Sequence, residues 1–495
     1  MKKIVVIGGG IAGLSAGAYA QKCGFDVTVL ESHSVAGGNC AAWRRGGYLF
    51  EGGMHWLTGS GEGEALHGCW RHVGALGDGV AVRYDEPFAE YFGEGAPARI
   101  YRDADETEAR LLELSPADAK EIKNLCANIR KVKSLGMVVS DLRGLRVTKK
   151  RRAPPPSALL SFLSAAGVMR VFSKISAKEY ASRFSHEGIR EALGSLTGEG
   201  QSALALVFTL GALARGDGGF PEGGSLPFVK RIVNTFEAAG GKLELNARAE
   251  RVVVERGRAT GAVVAGSFVP ADAVIVATDT MAIDSLFDDP PKAAWLDRMR
   301  METEPTACAL VSLGISADLS KYPAGFVFKP GRPIRMGSET YNYLSANNYA
   351  RDPSYSPAGK TAMTLILPGD THDFWKSAKS EGRYAQEKRA LADAVAGAIE
   401  ERIPEARGRV EVRDVATPLT YERYCGNWKG SWMTRMRPGM RMRVYPPAIK
   451  GLGGAYFAGQ RMMPPGGLPV ALLSARAAVQ RLCRDSGATF ASEEY

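Results

Sequence analysis

An α/β fold built on a parallel sheet, with a second α+β domain drawn from two separate stretches of chain, is predicted by three features. The N-terminus holds a strand, a glycine turn, a small-residue helix and a second strand. The C-terminus holds a strand, a turn and an apolar helix, and a strand-rich block lies between the two ends.

The N-terminal unit is the most specific. Lys3 to Ile7 is apolar, Gly8-Gly9-Gly10-Ile11-Ala12-Gly13 follows, and a second strand from Asp26 to Leu30 runs into Glu31. In this spacing Gly8 permits a tight turn, Gly10 lets backbone approach a pyrophosphate, and Gly13 lets helix and strand pack closely. Ile11 and Ala12 open a helix whose N-terminal N–H groups face the phosphates. Glu31 stands where a carboxylate accepts hydrogen bonds from the ribose hydroxyls of an adenosine and repels the 2′-phosphate of NADP. This is a Rossmann-like dinucleotide unit, and taken alone it leaves FAD and NAD open.

The next segment narrows the choice. Val35-Ala36-Gly37-Gly38-Asn39 leads to Trp43-Arg44-Arg45-Gly46-Gly47-Tyr48-Leu49-Phe50-Glu51-Gly52-Gly53-Met54-His55-Trp56. Here the chain resembles the FAD-dependent phytoene desaturase, carotenoid isomerase and retinol saturase group within the amine-oxidase-like flavoproteins. In that group a Gly-Gly loop lies along the flavin diphosphate, followed by a basic residue and a Gly-Tyr-x-Phe-Asp-x-Gly segment beside the isoalloxazine. Gly37, Gly38, Arg44, Gly47, Tyr48, Phe50 and Gly53 match it, whereas Asn39 stands where many members carry Arg and Glu51 where most carry Asp. The resemblance implies a glutathione-reductase-like FAD domain, with Asn39, Met54, His55 and Trp56 among the cofactor neighbours.

The C-terminal feature is Ala455-Tyr456-Phe457-Ala458-Gly459-Gln460, then Pro464-Pro465-Gly466-Gly467-Leu468-Pro469 and an apolar helix to about Cys483. It is similar to the group's closing flavin segment, which implies cofactor contacts at Gly459, Gln460, Gly467, Leu468 and Pro469. A helix N-terminus favours the negative charge of a reduced flavin, and proline near that start costs little. Gln460 replaces the acid often found there and can hydrogen-bond the ribityl or phosphate without adding charge. In the middle block, Gly223-Gly224-Ser225 precedes a helix with Val229, Ile232, Val233 and Phe236. A strand from Ala249 to Glu255, a turn at Arg256-Gly257-Arg258 and a strand ending near Ala277 follow. The resemblance implies that Ala249 faces the adenine and that Ala277 passes near the cofactor.

At 495 residues, 45% hydrophobic and 23% charged, the chain can bury a large core. The expected division is an FAD domain of residues 1–75, 224–284 and 440–495, and a cap of 76–223 and 285–439. No secretory signal is expected, because the first apolar stretch is already the binding strand. No apolar run reaches the roughly 18 residues of a spanning helix. The seven cysteines include no C-x-x-C pair and point to a reducing cytosol, and the six histidines lack metal-ligand spacing, so no metal is assigned.

Net charge is +10, and residues 142–178 hold nine basic side chains and no acidic one, leaving about +1 for the rest. Within that stretch lie Leu159, Leu160, Phe162, Leu163, Val168, Met169, Val171 and Phe172. The pattern reads equally as a docking surface for an anionic bilayer, on the inner face of the membrane of a cytoplasmic protein, or as a solvated loop before a buried cap helix. Nucleic acid is a poor partner, because no reader fold accompanies the charge.

The resembled group works on polyenes and prenyl chains at carbon–carbon bonds, so an FAD oxidoreductase that saturates, desaturates or isomerises a lipophilic substrate is expected. His55 is the candidate proton donor or substrate-orienting residue, since an imidazole titrates near neutrality. Tyr421, Tyr424, Trp428 and Trp432 are candidate channel walls. An amine oxidase remains a second reading, for which Lys429 is the lysine. A prenyl carrier like the Rab GDP-dissociation inhibitors is a third. No second glycine fingerprint supplies a nicotinamide domain, and the redox partner stays open.

Overall fold

The computed structural model describes residues 1–93, 95–149, 156–198 and 200–493, and for 156–161 the backbone alone. Lys150, Arg151, Arg152, Pro154 and Pro155 of the basic stretch lie outside the described residues.

Five parallel strands form the nucleotide sheet, in the order Ala455–Phe457, Ala273–Val276, Lys3–Ile7, Asp26–Leu30, Lys242–Glu244. Lys3–Ile7 is central, with Val6 opposite Ile275 on one side and Val29 on the other. The helix Ile11–Lys22 returns the chain between the first two strands, and every residue from Ile11 to Ala20 is buried. Its alanines and glycines let neighbouring elements approach closely, while Ile11, Leu14 and Tyr19 fill the core around it. It packs against Ser225–Ala238 and Leu468–Ser486, whose apolar faces complete that core. A three-stranded antiparallel meander, Ala249–Glu255, Arg258–Val264 and Ser267–Pro270, adjoins it. Its first turn is Arg256-Gly257, both at positive φ (48° and 73°).

The second unit is a seven-stranded mixed sheet in the order Val410–Ala416, Cys308–Ile315, Thr361–Pro368, Leu344–Asn348, Gly325–Phe328, Ala89–Tyr91, Ala98–Ile100. Helix Tyr384–Arg402 covers it, and the helices Ala104–Leu114, Ala119–Val132, Glu187–Thr197 and Ala203–Ala214 share a separate apolar cluster at its far end. The hairpin Ala42–Arg45/Tyr48–Glu51 leads from the first sheet to the second. There Trp43 Nε1 donates to Asp414 at 2.6 Å and Tyr48 OH to Glu411 at 2.5 Å.

One stretch departs from the expected division. Residues 137–148 belong with the nucleotide core, where Met137, Val139, Leu145 and Val147 join the apolar cluster of the first and closing helices. Thr148 N and Phe490 O lie 3.0 Å apart there. Helix Pro156–Phe172 satisfies both readings of its sequence in part: Ala165, Val168 and Phe172 are buried, while Phe162, Leu163 and Val171 are more than half exposed. Among the described residues, no helix is long and apolar enough to cross a membrane.

Candidate functional site: a dinucleotide cradle beside an aromatic cavity

The cradle begins where the central strand ends. A Cβ on Gly13 would lie 1.8 Å from the Gly8 carbonyl oxygen, so helix and strand cross at a distance only glycine permits. Gly10 differs: its backbone is extended, and a Cβ there would find no protein atom closer than 3.8 Å. The space over Gly10 is therefore open for a bound group. Ala277 sits beneath this crossing, with its N–H on the Ile7 carbonyl and its Cβ close to Gly13. Gly37 and Gly38 lie against Gly10, and Gly37 N donates to Gly9 O at 2.8 Å.

Glu31 follows the second strand and is buried. Its Oε2 accepts from Gly9 N at 2.7 Å and its Oε1 from His33 N at 2.8 Å, so one carboxylate orders the glycine turn and the segment that follows the strand. Ala249 is buried in the cluster that contains Leu30 and Ala247, and Ala247 N donates to the Glu31 carbonyl at 2.8 Å.

The other edge of the cradle is the closing segment. Gly459 N donates to Ser474 Oγ at 2.9 Å, and Gln460 Oε1 is buried with no hydrogen-bond partner. Helix Leu468–Ser486 starts at Gly467 with Pro469 in its first turn, and no side chain caps it; helix Ile11–Lys22 is likewise uncapped at Gly10. Two uncapped helix starts, an orphaned amide oxygen and the space over Gly10 fit a bound dinucleotide.

Three polar clusters hold the two edges together. Arg461 and Asp279 form a buried bidentate pair, Nε to Oδ1 at 2.7 Å and Nη2 to Oδ2 at 2.9 Å, and Trp428 N also donates to Asp279. Asn427 Nδ2 donates to Asn39 Oδ1, tying the Gly-Gly loop to the cap. Glu51, fully buried, accepts from Gly53 N, Met54 N, Ser225 N, Ser225 Oγ and Tyr355 OH. Burial raises its pKa while those donors lower it, and burial wins. Glu51 thus serves as an internal anchor for the His55 segment. Cys40 Sγ faces Ser225 Oγ at 3.4 Å, and burial pushes its thiol up to about 12, which makes it inert.

His55 lines a cavity of about 110 Å³ with Trp56, Phe88, Phe220 and Tyr349. Its Nδ1 lies 3.5 Å from Tyr349 OH, its Nε2 is buried without a partner, and its ring tilts against Trp432 at 5.9 Å. Burial pushes its pKa down to about 4. This corrects the sequence expectation: the imidazole is neutral at pH 7, because the enclosing aromatic rings do not solvate a cation. A larger cavity, about 620 Å³, lies between residues 330–337 and helix Tyr384–Arg402 and shares no residue with this one.

The other expected residues separate. Tyr421 and Trp432 reach the site, with Tyr421 OH on the Gly52 carbonyl at 2.7 Å and its ring edge-on to Trp432. Tyr424 is exposed and packs on His33, and Trp428 lies under Lys429 Nζ at 5.6 Å. Trp56 packs edge-on to Phe88 in the cavity wall and is 36% exposed. Arg44 is also a correction. It lies exposed near the end of the strand Ala42–Arg45, beside the equally exposed Arg45, with Nη2 on the Ser354 carbonyl.

The model of the family described as "Flavin containing amine oxidoreductase" matches residues 11–483. The chain belongs to the flavin-containing amine oxidoreductase family. FAD is its cofactor. Within this family's reach, the chain is 25% identical to a "Phytoene desaturase (lycopene-forming)" of Pseudescherichia vulneris, over 98% of this chain and 100% of that protein. It is 23% identical to an "All-trans-retinol 13,14-reductase" of Danio rerio, over 86% of this chain and 76% of that protein. An oxidoreductase of Methanosarcina mazei has the same fold, with TM-score 0.58 and 18% identity over 97% of this chain and 100% of that one.

In this flavin-containing oxidoreductase, sequence reasoning missed Asp279, Arg461 and Tyr349. Only Arg461 carried a signal, being one residue past Gln460 in the closing segment.

Proposed function

We propose that this flavoenzyme adds, removes or relocates hydrogen at carbon–carbon double bonds of a lipophilic polyene or isoprenoid. The observation that carries the reading is the cavity wall of aromatic rings around a neutral imidazole, with Lys429 not among its lining residues. Similarity to a desaturase over its full length and to a retinol reductase over 76% of its length supports it, and the position of Lys429 weighs against the amine oxidase. The proposed cofactor set is the two glycine loops, Glu31, the Gly53 to His55 segment and the closing segment from Gly459 to Pro469. The proposed division into an FAD domain and a cap follows the two sheets.

Bound FAD supplies the acceptor or donor of an electron pair. The chain binds and orients the substrate, excludes water with aromatic walls, and presents His55 as a neutral group with one donor and one acceptor. The test is an anaerobic flavin spectrum, bleached by light and then challenged with polyenes and amines. Recovery of the oxidised band with a polyene supports the proposal, and bleaching of the oxidised enzyme by amines alone, without light, overturns it, because an amine gives its electron pair to oxidised flavin.

His55→Gln should slow that reoxidation about tenfold or more with flavin content unchanged. With a folded pKa of about 4, His55 should produce no inflection in the rate between pH 5 and 8. The unfolded imidazole titrates near 6.5, so the unfolded chain binds this proton first. Stability is whole above about pH 6.5 and falls toward pH 4, by at most about 1.4 kcal/mol per pH unit from this residue. Urea denaturation of wild type and His55→Gln across that range measures the difference.

We also propose peripheral contact with anionic lipid through residues 142–178. Phe162, Leu163 and Val171 stand exposed on one helix beside Arg170 and Lys174, a mixture suited to a headgroup interface. Charge reversal at Lys149, Lys150, Arg151 and Arg152 should cut sedimentation with phosphatidylserine vesicles at least tenfold, at about 1 kcal/mol per charge. Unchanged sedimentation would rule the contact out.

A further inference from the structure

The cavity beside His55 also contains a cation that a pure hydrocarbon would leave unmatched. Arg102 lines it together with Arg83 and Asp85. Its guanidinium lies over the Tyr84 ring at 4.9 Å and the Phe88 ring at 5.4 Å. Nη1 and Nη2 donate to the Asp217 and Gly218 carbonyls at 2.5 and 2.7 Å, and Nε is buried with no acceptor.

The neighbouring acids are engaged elsewhere. Asp85 pairs with Arg83 at 2.8 Å and with Arg351 at 3.5 Å. Glu86 accepts from the Arg102 backbone N–H. The Asp217 carboxylate accepts from the backbone N–H groups of Gly59, Ser60, Gly61 and Gly218. Among the described residues no carboxylate lies within ion-pair distance of Arg102, so its direct contacts are two aromatic faces and two neutral carbonyls; Glu86, Asp85 and Asp217 act on it from farther off, and burial still pulls its pKa down. A half-buried guanidinium in that setting is costly unless an anion completes it.

We infer that the substrate is a polyunsaturated acid whose carboxylate is taken by Arg102 while its apolar chain runs along Trp56 and Phe88. This rests on the reading of the cavity as the substrate site, and it distinguishes this enzyme's ligand from a hydrocarbon. Arg83, already neutralised by Asp85, shapes the wall next to that carboxylate.

The test is a binding titration of the oxidised holoenzyme, read from perturbation of the flavin absorbance, with all-trans-retinoic acid and its methyl ester as a matched pair. The acid should bind about tenfold tighter or better, as a charge-assisted hydrogen bond requires. Arg102→Gln, with flavin content and melting temperature as folding controls, should remove that preference and leave ester affinity within about twofold. Equal binding of acid and ester by wild type would overturn the carboxylate assignment and leave the substrate-site reading standing. A preference that persists in folded Arg102→Gln would overturn the role of Arg102. Binding of neither ligand would overturn the substrate-site reading, and the carboxylate assignment with it. Because the matched pair is decisive on wild type alone, a variant that does not fold leaves the inference testable.

Discussion

Arg461→Leu should destabilise the protein by about 3–5 kcal/mol and release its flavin. The guanidinium is 1% exposed and its partner Asp279 2%. Besides the bidentate pair, Arg461 donates to Ser431 Oγ, and Asp279 accepts from Met281 N at 3.0 Å. Such a pair contributes little net stability when both charges are present, because each was costly to desolvate. Removing one leaves the other buried and uncompensated. The consequence reaches function because the pair joins the end of the strand Ala273–Val276 to the closing segment at Gln460, so both edges of the cradle loosen together. Asp279→Asn should cost less, since the amide keeps hydrogen-bonding capacity. The double variant should fall well short of the sum, the mark of a coupled pair. Thermal unfolding and flavin content measure all three, and a loss under about 1 kcal/mol in Arg461→Leu would show that the pair does not hold the cradle.

That pair also marks how far the sequence could be read. The βαβ unit was legible because its information is local: glycine spacing, strand, helix and Glu31 lie within about thirty residues. The strands from Lys3 to Ile7 and from Ala249 to Glu255 lie where apolar patterning puts them, and the closing helix starts at Leu468. The pairings that complete the site are of another kind. Asp279 and Arg461 are 182 residues apart, and Asn39 and Asn427 are 388 apart. Charge and amide complementarity over such separations has no periodicity to reveal it. Residue type suggested a histidine titrating near neutrality, but the solvation that sets its charge belongs to the tertiary structure, and His55 is driven to about 4 by walls brought from Tyr349 and Trp432. Arg44 fails for a related reason. Its motif position fits, yet Arg44 and Arg45 both lie exposed at the end of the strand Ala42–Arg45, and where a strand emerges into solvent is decided by the tertiary fold rather than by composition.

Two glycines in one fingerprint should respond to the same substitution in opposite ways. Gly13→Ala places a methyl 1.8 Å from the Gly8 carbonyl oxygen, well inside contact distance, and the clashing atoms are Gly8 backbone that cannot rotate away as a side chain could. The helix must lift from the sheet, and because that helix is buried along most of its length the displacement spreads into packing against Ser225–Ala238 and Leu468–Ser486. A loss of about 3 kcal/mol or more is expected, with little folded protein recovered. Gly10→Ala meets no protein atom within 3.8 Å, and φ −75° with ψ −179° suits alanine. The cofactor-free protein should keep its unfolding free energy within about 0.5 kcal/mol of wild type. Its methyl then occupies the space through which backbone approaches a pyrophosphate, so FAD affinity should fall at least tenfold. Apoprotein melting separates the two substitutions, and reconstitution with FAD reads the second. Full FAD affinity in Gly10→Ala would move the diphosphate away from this loop. A stable Gly13→Ala would mean that the strand–helix crossing is looser than its geometry states.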